Sequence, residues 1–188
     1  MSMELRRTTT KKDFDMIKSL YIEAFPKCER APFFFIKQRA KDLRGECWNI
    51  EENGHFIGMA YVIGNSKLAY LFYFAISKEM RGKGYGSRAL SLIMDKYKNK
   101  KLFLALEDWK EDCDNKLQRI KRHEFYENCG LIDLPYKLRE VNMVYSVMGT
   151  KREVGTDNFR QLADDYLGRV ICKFIKMRLI EINETQSE

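Results

Sequence analysis

The stretch Leu71-Phe72-Tyr73-Phe74-Ala75-Ile76-Ser77-Lys78-Glu79-Met80-Arg81-Gly82-Lys83-Gly84-Tyr85-Gly86-Ser87 decides how this chain folds. Its first part, with Leu68 to Tyr70 before it, is a continuous apolar and aromatic run bounded by turn residues, the texture of a buried strand. From Gly84 to Tyr97 the period changes: Leu90, Ile93, Met94 and Tyr97 fall on one helical face. Glycine stands at 82, 84 and 86 between the two. Glycines let the backbone turn tightly and approach a ligand, and a helix start offers unpaired N–H groups at the positive end of its dipole. Strand, glycine loop and helix together form a cradle for a pyrophosphate. The next apolar run, Leu102 to Leu106, completes a strand–helix–strand unit with parallel strands.

Working outward, Glu46 to Ile76 reads as a meander. Cys47 to Glu51, His55 to Ile63 and Leu68 to Ile76 are β-prone runs separated by Glu52-Asn53-Gly54 and Gly64-Asn65-Ser66. Before it lie a short strand at Glu4 to Arg7 and a helix with Phe14, Ile17, Tyr21, Ala24 and Phe25 at helical spacing. Thr10 and Asp13 form its capping box and Pro26 stops it. A second helix runs from Phe33 to about Leu43, beginning after Pro32 and ending at Gly45, and its aromatic run Phe33-Phe34-Phe35 packs against the domain or forms an apolar wall of a substrate pocket. Downstream, a helix over 115–128 ends at Gly130, a natural residue beyond a helix C-terminus. Strands follow at 131–138 and 141–148. Gly149 to Thr156 reads as a linker and Asp157 to about Ile180 as a last helix. That helix carries Tyr166, Val170, Ile171 and Phe174 on one side and Arg169, Lys173 and Lys176 elsewhere.

The glycine loop matches neither common phosphate motif. Its spacing is not G-x-G-x-x-G, no acidic residue follows a second strand where a dinucleotide site needs one, and it is not G-x-x-x-x-G-K-[ST]. It resembles the R/Q-x-x-G-x-G/A signature of the GNAT superfamily of acetyl-CoA-dependent N-acetyltransferases, with Arg81, Gly84 and Gly86 in the defining positions. In that superfamily an apolar strand precedes the signature and a helix follows it. Further on, members often carry an aromatic-Tyr-x-x-x-Gly segment at a helix end, where this chain has Phe125-Tyr126-Glu127-Asn128-Cys129-Gly130. The resemblance spans roughly 5–148, most strongly 68–131, and nothing beyond Lys151 takes part.

The resemblance implies a mixed α/β (α+β) fold, with a central mixed sheet flanked by helices, over 1–150, followed by a C-terminal helical extension over 151–188. It implies acetyl-CoA as cosubstrate, with no metal, wedged between the two parallel central strands. Phe74, Ala75 and Ile76 would lie along the pantetheine arm, and Arg81, Gly82, Lys83, Gly84, Tyr85, Gly86 and Ser87 around the pyrophosphate. It implies transfer of the acetyl group to a primary amine, by direct attack in a ternary complex, with Tyr126 as general acid. A phenol is protonated at neutral pH and can donate to the leaving thiolate. Glu107, where the parallel strands diverge around the acetyl group in the family, is a candidate base, with Glu29 in Phe25 to Pro32 as its rival. Members often place Asn seven residues and Ala four residues before the tyrosine, and here those positions hold Arg119 and Arg122. With Lys116 and Lys121 these arginines read as a solvated basic face, or as a face turned to cofactor phosphates. The alternative from another class is a CoA-binding sensor or scaffold without catalysis.

Composition narrows the field further. The 188 residues, 45% hydrophobic and 13% aromatic, suit one compact domain with an appendage. The charge of +7 selects no partner, and no helix-turn-helix spacing, aromatic RNA-binding signature or zinc module supports specific nucleic-acid binding. The five cysteines, Cys28, Cys47, Cys113, Cys129 and Cys172, are odd in number and lack a C-x-x-C pair, which fits reduced thiols in the cytoplasm. With no histidine beside them, Cys113 and Cys129 give weak support to a covalent acyl-enzyme. His55 and His123 do not form a zinc motif. The N-terminus has no apolar signal core, and no run approaches the ~18 residues of a membrane span. An apolar face on the last helix needs cover, from the domain itself or from a second copy in a homodimer.

Overall fold

The computed structural model describes residues 2–140, 143–151, 153–171 and 177–182, with the side chains of 169–171 left aside. They divide into two compact units, Met1–Gly64 with Leu71–Lys96, and Asn65–Tyr70 with Tyr97–Glu188. The strand Leu68–Ile76 therefore contributes to both. The architecture is mixed α+β: a mostly antiparallel sheet flanked by helices.

In the first unit β1 (Met3–Arg7), β2 (Glu46–Glu52), β3 (His55–Gly64) and the second part of β4 (Leu68–Ile76) lie in that order. β1 and β2 are antiparallel, as are β2 and β3. Asn53 and Gly54, both in the left-handed region (φ 51° and 77°), close the β2–β3 hairpin in the manner the Asn-Gly pair dictates. Helices α1 (Lys11–Ala24), α2 (Phe33–Lys41) and α3 (Tyr85–Lys96) bury their apolar faces against these strands: Ile17, Tyr21, Ile36, Leu90 and Ile93 join Ile50, Ile57, Met59 and Tyr61 in the core. The capping box of α1 forms as the sequence requires, with the Asp13 amide donating to Thr10 Oγ1 and the Thr10 amide to Asp13 Oδ2, both at 3.1 Å. Asp13 is buried and also accepts from both Arg6 Nη atoms (3.1 and 2.7 Å) and from Asn49 Nδ2 (3.1 Å). The aromatic run at 33–35 is only partly packed. Phe33 lies against Tyr21 and Phe35 under Arg39, but Phe34 is 75% exposed.

In the second unit the sheet order is β4, β5 (Lys101–Glu107), β7 (Met143–Gly149), β6 (Ile132–Glu140), β8 (Met177–Glu181). β4 and β5 are parallel, from Leu68 opposite Lys101 to Tyr70 opposite Phe103, as the strand–helix–strand reading requires. The other pairs, β5–β7, β7–β6 and β6–β8, are antiparallel. Helix α4 (Lys116–Asn128) ends before Gly130, whose φ of 91° suits glycine alone.

Two expectations for the C-terminal part fail. The 149–156 segment is no loose linker, because Gly149 belongs to β7, Thr156 opens α5 (Thr156–Ile171) and Val154 is 1% exposed. Nor does one helix run to Ile180. Gly168 departs from helical geometry (φ 79°, ψ 164°), α5 ends at Ile171, and Met177–Glu181 is a strand beside β6. A glycine inside a helical pattern is a weak point, and the open edge of β6 offers the chain a ladder of hydrogen bonds. The buried face of α5 is Phe159, Leu162, Ala163, Tyr166 and Leu167. Phe159 packs edge-on to Tyr70 and Phe103, which stack on each other at 4.8 Å. Of the apolar face read from sequence only Tyr166 has a described side chain. Those of Arg169, Val170, Ile171, Lys173, Phe174 and Lys176 lie outside the described residues, as do Cys172, Val141 and Asn142.

Candidate active site

In the first unit, β4 delivers the chain to the glycine loop and several contacts fix its end. The Ser77 amide and hydroxyl both donate to Ile57 O at 2.9 Å. At Gly58 on β3 a Cβ would come within 2.6 Å of Ala75 O and 2.8 Å of Ile76 Cδ1, so only glycine lets β3 lie this close to the Ala75–Ile76 backbone. After a 3₁₀ turn over Lys78–Met80, Arg81 Nε reaches back to Ile76 O at 2.9 Å. The signature arginine thus braces the strand end against the loop that follows it. Lys83 Nζ likewise donates to Glu79 O at 3.0 Å.

Gly82 and Gly84 both have positive φ, 74° and 76°, and an added Cβ at either would meet nothing within 4 Å. Their conformation, rather than crowding by the protein, requires glycine. Residues 81–84 are exposed, and α3 begins at Tyr85, so the first-turn amides of Tyr85, Gly86 and Ser87 have no preceding helical carbonyl to bond. Arg88, one turn in, forms two 3.1 Å bonds to the buried Glu52 carboxylate on β2 and holds the helix start in place. Phosphate oxygens fit such a site: amides converge at the positive end of a helix and no acidic side chain occupies 81–87.

Tyr73, absent from the sequence-level site, organises the loop between α1 and α2. Its hydroxyl donates to Glu29 O (2.9 Å) and accepts from the Ala31 amide (3.0 Å), while Tyr21 Oη donates to Ala31 O (2.9 Å). The Glu29 carbonyl is thereby tied to Tyr73, the residue that precedes the segment 74–76 that the resemblance assigns to pantetheine. A tyrosine next to that segment is the only sequence signal for this role, and it is too common to be read alone.

In the second unit Glu107 ends β5, and both its oxygens are engaged: Arg119 Nη2 at 2.9 Å and Arg122 Nη1 at 3.1 Å. Arg119 also bonds Glu111 Oε2 (3.0 Å) and Asp108 O (3.1 Å), and its side chain is 13% exposed. The solvated basic face expected for α4 is therefore wrong for Arg119, which clamps the helix to the end of β5. Asp108 pairs with Lys137, which also donates to Ser146 Oγ at 2.9 Å. Burial pushes the Asp108 carboxyl up, but the Lys137 ammonium outweighs it and holds the group below the usual carboxylate range.

Tyr126 is 9% exposed in the last turn of α4, edge-on to Phe125. Its hydroxyl has no hydrogen-bond partner among the described residues. Burial pushes its acidity down, raising the pKa to about 12 against a small opposing effect of Arg122, so the group is a neutral O–H donor at any physiological pH. Cys47 is buried and its thiol is pushed up to about 12, which makes it inert. Cys113 bonds Asn115 Oδ1 at 3.2 Å rather than a histidine.

The comparisons with known proteins agree on one family. The model described as "Acetyltransferase (GNAT) family" matches residues 14–131. No curated protein sequence matches. Among solved structures, a GNAT-family protein from Bacteroides thetaiotaomicron superposes with a TM-score of 0.67 at 16% identity, covering 89% of this chain and 97% of its own. The Bacillus subtilis acetyltransferase in complex with CoA has a TM-score of 0.53 at 14% identity over 78% and 95% of the two chains. Arabidopsis thaliana Naa50, in complex with the bisubstrate analogue CoA-Ac-MVNAL, gives 0.57 at 16% over 80% and 99%.

Proposed function

Because the chain belongs to the GNAT acetyltransferase family, we propose that it transfers the acetyl group of acetyl-CoA to a primary amine by direct attack within a ternary complex. The observation that carries this reading is the glycine loop: two left-handed glycines with open Cβ positions, followed at once by the amides of a helix start. The pyrophosphate lies on the amides of Arg81 to Ser87, and the pantetheine arm runs along Phe74 to Ile76, whose backbone Gly58 and Ser77 hold fixed. Arg81 and Lys83 contribute through the loop they brace.

In the reaction the amine lone pair attacks the thioester carbonyl, the carbon–sulfur bond breaks, and the thiolate takes the proton of the Tyr126 hydroxyl. Burial keeps this phenol protonated at neutral pH, and no acceptor among the described residues competes for its proton. The amine's proton passes through water to Glu107 or to bulk solvent. The two arginines on Glu107 keep its carboxylate oriented. Glu29, on the loop pinned by Tyr73, is the second acceptor for that proton.

Binding of CoA by wild type and Gly84→Val tests the cradle by calorimetry. The β-branched side chain should clash with phosphate and lower affinity at least tenfold. Gly54→Val in the β2–β3 turn, outside the cradle, supplies a matched control for backbone strain, since its φ of 77° is similar and its Cβ position equally open. A folded Gly84→Val protein that binds CoA like wild type refutes the assignment. The reading of a sensor or scaffold without catalysis draws no support from the unpartnered Tyr126 hydroxyl.

A further inference from the structure

The loop between α1 and α2 carries a cation that the chemistry of transfer does not use. Arg30 is half-buried, its Nε is shut off from solvent without a hydrogen-bond partner, and its side chain has no ion pair among the described residues. Elsewhere in the first unit guanidiniums find carboxylates: Arg6 pairs with Asp13 and Glu51, Arg7 with Glu46, Arg39 with Asp42 and Arg88 with Glu52. A charge partly taken from water without a counter-charge is costly, and folded proteins rarely leave one so.

The backbone on both sides of Arg30 is fixed. Glu29 O accepts from Tyr73 Oη (2.9 Å), the Ala31 amide donates to the same hydroxyl oxygen (3.0 Å), and Ala31 O accepts from Tyr21 Oη (2.9 Å). The Arg30 amide closes a 3₁₀ turn on Lys27 O at 3.4 Å. The two tyrosine rings that carry these hydroxyls lie 4.8 Å apart and pack with Phe25 and Phe33 at 4.9 to 5.7 Å, so the loop rests on an aromatic cluster of the core. With its backbone pinned and its Nε buried, the side chain loses little freedom when an anion binds.

On the transfer reading above, on which this inference rests, the pyrophosphate lies at 81–87 and the pantetheine arm runs back along Ile76, Ala75 and Phe74. Its thioester end therefore comes toward Tyr73, the residue that holds the loop, and this is the end at which the acceptor amine arrives. We propose that Arg30 binds a carboxylate of the acceptor, so that the substrates are primary amines that also carry a carboxyl group. One guanidinium fork matches the two oxygens and the single charge of a carboxylate, and the ligand supplies the counter-charge that the chain does not. Arg30 thus sets which amine is taken, apart from the reacting atoms, and Tyr73 positions it.

Calorimetry on the full chain saturated with CoA tests it, with glycine, phenylalanine and 4-aminobutyrate each compared with its own primary amide. In wild type at least one acid should bind about tenfold or more tightly than its amide. Arg30→Met, which keeps a long stem but no charge or donor, should narrow that ratio to about threefold or less, whereas Arg30→Lys should keep part of it. A carboxylate held anywhere else would leave the ratio the same in all three proteins. Acids that bind no better than their amides to wild type, or a preference as large in Arg30→Met as in wild type, would overturn the proposal even if amines are acetylated; the wild-type comparison does so without any variant having to fold. A preference that Arg30→Met loses upholds the carboxylate site, and the absence of acetylated product when acetyl-CoA replaces CoA would then remove the transfer reading alone.

Discussion

Tyr126→Phe separates chemistry from packing with one atom. The ring is buried, and its hydroxyl has no hydrogen-bond partner among the described residues, so its loss strands no buried donor or acceptor. The change in stability should be within about 1 kcal/mol of zero, in either direction. If the hydroxyl protonates the departing thiolate, turnover should fall by about 10²–10⁴-fold, or roughly 3–5 kcal/mol of transition-state stabilisation. Binding of acetyl-CoA should be nearly unchanged, because the variant keeps the ring. With the phenol at about 12, wild-type activity should also show no loss of this acid below roughly pH 10, so any alkaline limb at lower pH belongs to another group. The assay is thiol release from acetyl-CoA with the best amine, beside a chemical denaturation curve of the same preparation. Near-normal turnover by Tyr126→Phe, with or without a loss of stability, would refute the acid role.

Two further predictions concern ionisation, and Gly84→Val above concerns the cradle. Glu140, which accepts from Tyr70 Oη at 3.2 Å, is pushed up by burial to about 7. Its folded form therefore keeps a proton that the unfolded chain gives up, and this contribution to stability falls as pH rises from about 4.5 to about 7. Glu140→Gln should remove that slope and gain up to about 3 kcal/mol at pH 8, and an unchanged pH dependence of unfolding would contradict it. Asp13 is the opposite case, since the Arg6 hydrogen bonds, helped by Thr10, hold it well below the usual carboxylate range. Its stabilisation is present above about pH 4 and is lost only as pH falls through the folded value. Asp13→Asn should cost about 3 kcal/mol in urea unfolding at pH 7, and a loss under 1 kcal/mol would sink the argument.

The features legible in the sequence are local ones. The β4–loop–α3 segment could be read because a strand's apolar run, glycines at alternate positions and a helical stripe follow each other within one short stretch. Thr10 and Asp13, and Asn53 and Gly54, were equally readable, since a cap and a two-residue turn are each decided by neighbours in the chain. The misreadings involve distant partners. Arg119 looks like a surface cation until β5 brings Glu107 and the acids beyond it alongside α4. The strand Met177–Glu181 alternates too briefly to announce itself, and it depends on the unpaired edge of β6 for its ladder. Gly168 was the available signal that the helical period would break there. Tyr73 shows the same limit within the candidate site: its hydroxyl bridges two backbone groups of a loop more than forty residues earlier.

The central claim is acetyl transfer, and the most direct measurement follows acetyl-CoA and acceptor together. Wild-type protein is incubated with acetyl-CoA and a panel of primary amines, polyamines, aminoglycosides and peptides with free N-termini, with CoA thiol and N-acetyl product quantified by mass. The account predicts at least one amine for which thiol and acetylated product form in equal amounts over many turnovers. Tight CoA binding without acetylation of any amine in the panel would contradict it and leave a CoA-binding protein in place of an enzyme.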